Sequence, residues 1–417
     1  MQRAHFCALW GLGLMLAASS TRAGQVELSV EGRLGGESNV FRSESPIDDG
    51  TFEIEPRLGV RERNDDLDYA LSYMPTHRSF MKTSGIDGVD HRAFATGGWS
   101  LTAIDRLEAT GSYYNGRQFR SEDTDAGPAQ VFEFNDRERV GIAETSLGYR
   151  RLLSPTVSLG LGFDFEDFDA GTGPTSQTDS RAYTGRVSLQ YSLDPITQLG
   201  VSASGRHREN RGVDFGSIDA GNLEPRPSSE TDVWDVLFSV SRSISPTFDV
   251  SVQAGPSFIR QQQVPGGIPG FPHDESTDVT VFASASAKKR WQKSDVGLSY
   301  VRTEARSGSV SSQSSISDIV ELSAVHRIDD AWSVRWLGAW NRFEQIASQS
   351  GSEDRFELTS IRSTASIDYA LSRRLSIVGR YTYIWQVIDR SGLAIPTRVD
   401  VHLGSVGLRY TFEPLSY

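Results

Sequence analysis

The sequence predicts an all-β chain, an antiparallel up-and-down β-barrel of about eighteen strands that crosses a membrane. Three observations predict it. The final strand, Ser405 to Phe412, alternates apolar or aromatic residues (Val406, Leu408, Tyr410, Phe412) with Ser405, Gly407, Arg409 and Thr411. Successive side chains of a strand point to opposite faces, so this segment has one apolar and one polar face. The same alternation recurs along the chain between tight polar turns. Finally, no apolar run after the N-terminal segment is long enough to form a membrane helix, which needs about 20 apolar residues.

Residues 1–23 read as a secretory signal peptide. Arg3 supplies a basic start, Phe6 to Ala18 form an uncharged apolar run, and Ser19 to Ala23 supply small residues for a cut after Ala23. The barrel is then expected over residues 24–417. Cys7, the single cysteine, lies in the leader, which leaves no thiol for disulfides, thiolate metal sites or a cysteine nucleophile. Loss of Arg3 and Arg22 leaves 40 basic residues against 54 acidic ones, a charge of −14. That balance argues against nucleic acid as a partner. Hydrophobic residues make up 37% of the chain and Gly is frequent, at 39 residues. Such a composition suits a barrel, which needs apolar cover on only one face of each strand.

The turns fall near Asn64-Asp65-Asp66, Ile104-Asp105, Ser154-Pro155, Asp194-Pro195, Ser245-Pro246, Lys293-Ser294, Asp329-Asp330 and Ser372-Arg373-Arg374. Pro, Asn, Asp and Ser fix or tolerate the backbone angles of such reversals. Between the turns, Val157, Leu159, Leu161, Phe163 and Phe165 oppose Ser158, Gly160, Gly162, Asp164 and Glu166. Val187, Leu189, Tyr191 and Leu193 oppose Arg186, Ser188, Gln190 and Ser192. Eight turns join sixteen strands, and Val26 to Leu34 with Val399 to Phe412 bring the number to eighteen. An even number places both termini on one side, expected to be the periplasm. Longer connections are then expected outside, near 42–50, 75–91, 116–137, 169–181, 209–232, 261–278, 303–315, 345–356 and 388–398. Trp332 and Trp340 share a face. Eight residues of tilted strand climb roughly 20 Å, so the pair is expected to mark the two interfaces of the apolar band.

The opposite face would line the lumen. It carries twelve arginines, among them Arg57, Arg61, Arg186, Arg335, Arg362, Arg380 and Arg409, which we single out as lumen charge. Acids on the same face, such as Glu31, Glu55, Asp164, Asp249 and Asp368, are nearly as frequent, so pairing across the wall is expected for most arginines. The remainder would lower the barrier for anions. The histidines show no metal-ligand spacing, and no Gly-x-Ser-x-Gly elbow or phosphate loop is present. Neither catalysis nor a cofactor is expected. Gly407, Tyr410 and Phe412 form the pattern expected of a barrel-assembly signal read by the insertion machinery, and the wall's partner would be outer-membrane lipid.

The segment Gly35 to Ser43, with Ser38-Asn39-Val40-Phe41-Arg42 at its centre, resembles a turn of an outer-membrane β-barrel porin family associated with exopolysaccharide loci. Leu153-Ser154-Pro155 and Leu193-Asp194-Pro195 are also similar to hairpins of that family. Ser38 stands where the family usually has an acid. The resemblance implies passage or export of a polysaccharide across the outer membrane, with export-complex proteins as partners, and it assigns no functional residue. The residues alone leave open a general diffusion porin for small solutes, or a closed barrel anchoring a synthesis complex.

Overall fold

The computed structural model describes residues 24–40, 46–117, 139–169, 179–210, 228–264, 275–306, 314–345, 356–390 and 397–416. The segment read as a leader, and Phe41 to Ser43 of the family-like turn, lie outside the described residues. One sheet runs through β1 (Gln25–Glu37), β2 (Asp49–Arg63), β3 (Leu67–Phe80), β4 (Gly88–Ser100), β5 (Asp105–Arg117) and β6 (Arg139–Ser154). It continues through β7 (Val157–Asp169), β8 (Ser180–Asp194), β9 (Thr197–Asn210), β10 (Ser228–Ser245), β11 (Phe248–Val264) and β12 (Glu275–Arg290). It ends with β13 (Ser294–Arg306), β14 (Ser314–Arg327), β15 (Trp332–Gln345), β16 (Phe356–Ala370), β17 (Leu375–Arg390) and β18 (Thr397–Thr411). Every neighbouring pair is antiparallel. The wall closes where β1 pairs with β18, from Ser29 opposite Thr411 to Glu37 opposite Leu403. A two-residue extension, β19 (Leu415–Ser416), pairs with Gln25 and Val26. The fold is therefore a closed eighteen-stranded barrel. Closure pairs the two terminal strands, which would otherwise be free edges.

The short turns are built by the residue types that predicted them. Asn64 Oδ1 accepts the N–H groups of Asp66 (3.1 Å) and Leu67 (2.7 Å). Asp329 Oδ1 accepts those of Ala331 and Trp332, and Ser372 Oγ those of Arg374 and Leu375. The Ser-Pro turns at Pro155 and Pro246 and the Asp-Pro turn at Pro195 share a one-residue register shift. Such a bulge sharpens the local twist at a barrel rim. At the other end the strands run further than expected. The connection expected over 75–91 is only residues 81–87, with a single 3₁₀ turn at Ser84–Ile86, because β3 and β4 stay paired up to Arg78 opposite Gly88.

Outward side chains over the lower part of each strand are apolar and exposed: Leu34 (60%), Phe238 (64%) and Val406 (63%) are examples. A soluble protein rarely leaves so continuous an apolar surface open, whereas a bilayer covers it. Aromatics edge this band at the short-turn end. Trp332 stacks on Tyr369 (4.3 Å between centroids), and Tyr410 meets Phe412 edge-on (4.9 Å).

Above the band the alternation inverts. On β18 the outward residues change from Val406, Leu408 and Tyr410 to Arg398, Asp400 and His402, while Val399, Val401 and Leu403 turn inward. Outward polar pairs circle this upper level: Asp167 with Arg181, His207 with Asp232, Arg260 with Glu275, Arg302 with Asp318 and Arg342 with Glu357, each at 2.8 Å. His207 lies ten residues above the start of β9, a climb of about 25 Å, which is the height of the apolar band. Charge on the outside is tolerated there because it projects beyond hydrocarbon.

Candidate functional site: the inner face of the barrel

The strand registers put Arg57 opposite Ser29, Arg335 opposite Ser366, Arg380 opposite Ser405 and Arg186 opposite Ser204, all on the inner face. Arg61 lies four residues along β2 from Arg57 and shares that face. Arg362 is buried there, at 3% exposure.

The basic residues of the inner face include two groups. The first braces the seam between the terminal strands. Arg33, at 5% exposure, meets Glu53 at 3.1 Å, Glu55 at 3.0 Å and Glu31 at 3.6 Å. Arg78 adds 2.8 Å to Glu53, and Arg409 bonds Glu31 (2.7 Å) and Asp368 (3.3 Å). The ladder thus crosses β3, β2, β1, β18 and β16 over the closure. Gly407 lies opposite Arg33, and a methyl group there would sit 2.6 Å from Gly32 O and from Arg33 Cγ. Glycine is therefore required by the close approach of the Arg33 stem, which lets that guanidinium reach its three carboxylates. Arg186 pairs with Asp164 at 3.2 Å and Arg290 with Asp249, both on the inner face.

The second group lacks ion pairs. Arg57, Arg61, Arg150, Lys288 and Arg335 are exposed to the lumen and form no ion pair with any described residue. All five lie in the half of the barrel nearer the short turns. Glu27 and Asp295 are inner-face acids in the same half with no ion pair to a described residue. Among the described residues, the surplus of cations without ion pairs gives this level a basic lining, whose field a low-dielectric wall strengthens.

The other half of the lumen differs from the polar surface expected along its whole length. Val140 and Phe168 pack with Tyr114 and Ile142; Ile384, Val399 and Val401 pack with Leu403. In a third cluster Val233 and Ile259 pack with Ile316 of β14, three strands from β11. On β15 to β17, Asn341, Ser360 and Gln386 form a row of register partners, all at most 2% exposed. Asn341 Oδ1 and Nδ2, Ser360 Oγ and Gln386 Nε2 have no hydrogen-bond partner among the described residues. No cluster of His, Cys, Asp and Glu among the described residues has the arrangement of a metal site.

No protein-family model matches the chain, and no curated protein matches it. Among solved structures it is similar to the ferric-catecholate import receptor Fiu from E. coli K12, with 9% identity and a TM-score of 0.45 over 93% of this chain and 81% of that one. It is also similar to OccAB3 from Acinetobacter baumannii (11%, 0.41, covering 94% and 99%) and to OccK11 (OpdR) from Pseudomonas aeruginosa (10%, 0.40, covering 94% and 96%).

Proposed function

We propose that the protein is an outer-membrane conduit through which anionic solutes pass without a cofactor or chemical step, after removal of residues 1–23 and with both termini in the periplasm. The observation that carries this reading is the set Arg57, Arg61, Arg150, Lys288 and Arg335, exposed to the lumen without an ion pair to any described residue. An eighteen-stranded barrel is wide enough to hold an aqueous channel. The free guanidiniums offset the cost of bringing an anion from water into it. The solute class we favour is an acidic exopolysaccharide or its fragments. The resemblance of the Gly35 to Ser43 segment to the exopolysaccharide-associated family supports that choice.

Planar-bilayer recording of the purified mature barrel tests the proposal. The expected result is a steady single-channel current that an acidic saccharide polymer interrupts and a neutral one of equal size does not. Equal indifference to both polymers would replace it with general diffusion. The packing of Ile316 against Val233 and Ile259 inside the lumen favours a second reading, a barrel shut at its outer end that anchors other proteins. Absence of any current would support that one and remove the first.

A further inference from the structure

The wall is not zipped along its whole height. β11 and β12 pair up to Gln262 opposite Glu275, and β13 and β14 pair up to Arg306 opposite Ser314. Between them, β12 and β13 pair only from Arg290 opposite Asp295 to Ala283 opposite Arg302. Above that point the β13–β14 hairpin parts from β12. Its direction follows from its contacts. Glu304 and Ile316 are register partners on the face that lower down turns outward with Leu298, Tyr300, Val320 and Leu322. Yet Ile316 packs on Val233 of β10 and Ile259 of β11, and Glu304 reaches Arg206 and Arg208 of β9. All four of these are inner-face residues. The hairpin end therefore passes on the lumen side of β12 and lays its outward face against the inner wall of β9 to β11.

The meeting point has the form of an occupied receptor. Arg206 and Arg208 stand two residues apart on one strand and converge on a single carboxylate. Arg206 Nη1 is 3.1 Å from Glu304 Oε2, and Arg208 Nη1 is 2.8 Å from Glu304 Oε1. The Glu304 side chain is 2% exposed and that of Arg208 is 6% exposed. Arg206 Nε donates to Thr184 Oγ1 at 3.3 Å, and Arg208 Nη2 lies 3.9 Å from Glu166. Arg208 Nε, also buried, has no hydrogen-bond partner among the described residues. With Glu304 withdrawn, two guanidiniums would face one distant carboxylate beside the aliphatic surface of Val233 and Ile259. A buried surplus cation of that kind demands an anion, and the two-point geometry selects a planar carboxylate.

We propose that Arg206 and Arg208 form a carboxylate-binding station in the lumen, with Glu304 of the β13–β14 hairpin as its built-in competitor, and that the external ligand is a carboxylate-bearing saccharide. An incoming carboxylate takes the place of Glu304, and the hairpin end is then free to extend the β12–β13 register, which would set Thr303 to Arg306 against Phe282 to Val279. The proposal rests on the conduit reading for its ligand class, since it supplies a station on that path.

The test is calorimetric titration of the full mature barrel in detergent with tri-galacturonate, using maltotriose as the neutral control. Glu304→Gln is expected to bind tri-galacturonate at least tenfold more tightly than the wild type. Adding Arg206→Gln is expected to abolish that gain, and maltotriose is expected not to bind. Unchanged affinity in Glu304→Gln, or equal binding of maltotriose, would overturn the station. Should Glu304→Gln fail to fold, judged by unheated electrophoresis, a Val233→Cys, Ile316→Cys pair tests the same point, because Cys7 is the only natural cysteine. The oxidised pair is expected to lose binding and regain it on reduction; binding indifferent to the lock would overturn the proposal. Tighter binding by a barrel that passes no current would leave the station standing and remove the conduit. A conducting barrel without the gain would do the reverse.

Discussion

Replacing Arg33 with Met tests how the barrel is held closed. The guanidinium is 5% exposed and lies within 3.6 Å of Glu31, Glu53 and Glu55. After the substitution Glu31 retains Arg409 at 2.7 Å and Glu53 retains Arg78 at 2.8 Å. Glu55 retains only the Thr76 hydroxyl at 3.1 Å among its described partners. Stranding one partner of a buried ion pair costs about 3–5 kcal/mol. Glu55 keeps 17% exposure toward the lumen, which places the expected loss near the lower limit, about 3 kcal/mol. Urea unfolding in detergent micelles, followed by tryptophan fluorescence, measures it as a shift in midpoint at constant slope. Arg57→Met serves as the control, since that arginine has no ion pair to any described residue, and is expected to fall within about 0.5 kcal/mol of the wild type. Arg33→Met with Glu55→Gln should recover part of the loss. If Arg33→Met costs less than about 1 kcal/mol, no more than a typical exposed pair, the ladder does not hold the seam.

Two further perturbations address the closing strand. Gly407→Ala puts a methyl group 2.6 Å from Gly32 O and is expected to cost about 1–3 kcal/mol by the same unfolding assay. Gly404→Ala, where a methyl group meets nothing within 4 Å, should be neutral, and equal effects at the two sites would contradict the close-approach argument. Tyr410→Ala with Phe412→Ala is expected to reduce, severalfold, the fraction of chain recovered as folded barrel in the outer membrane; normal assembly would remove these aromatics as the insertion signal.

Much of this architecture is written in local pattern. The Asn, Asp, Ser and Pro positions mark the eight short turns because each supplies its own hydrogen bond or backbone angle. Period-two alternation assigns faces because a lipid-bathed wall enforces it over each lower half-strand. The strand tops were harder to read. There Arg398, Asp400 and His402 turn outward and Val399, Val401 and Leu403 inward, since the outside has left the hydrocarbon and the inside is packed. A rule tuned to apolar-out residues therefore ends β3 too early and lengthens the expected 75–91 connection. The ion pairs were legible as a tendency but not as partners. Arg33 and Glu53 are direct register partners, whereas Arg409 reaches Asp368 two strands away, a relation fixed by strand stagger. Nothing local announces that β12 and β13 part above Ala283. The signal that could have raised it is Glu304 itself, an acid beside Ile316 on a face that lower down meets lipid.

A basic conduit in the lower lumen would show in ion selectivity. In a planar bilayer separating unequal KCl concentrations, the reversal potential of the wild-type barrel is expected to have the sign of chloride preference. Substituting Arg57, Arg61, Arg150 and Arg335 together with Gln is expected to bring it close to zero. A wild-type barrel that prefers potassium, or a quadruple variant with unchanged selectivity, would overturn the basic-lumen reading.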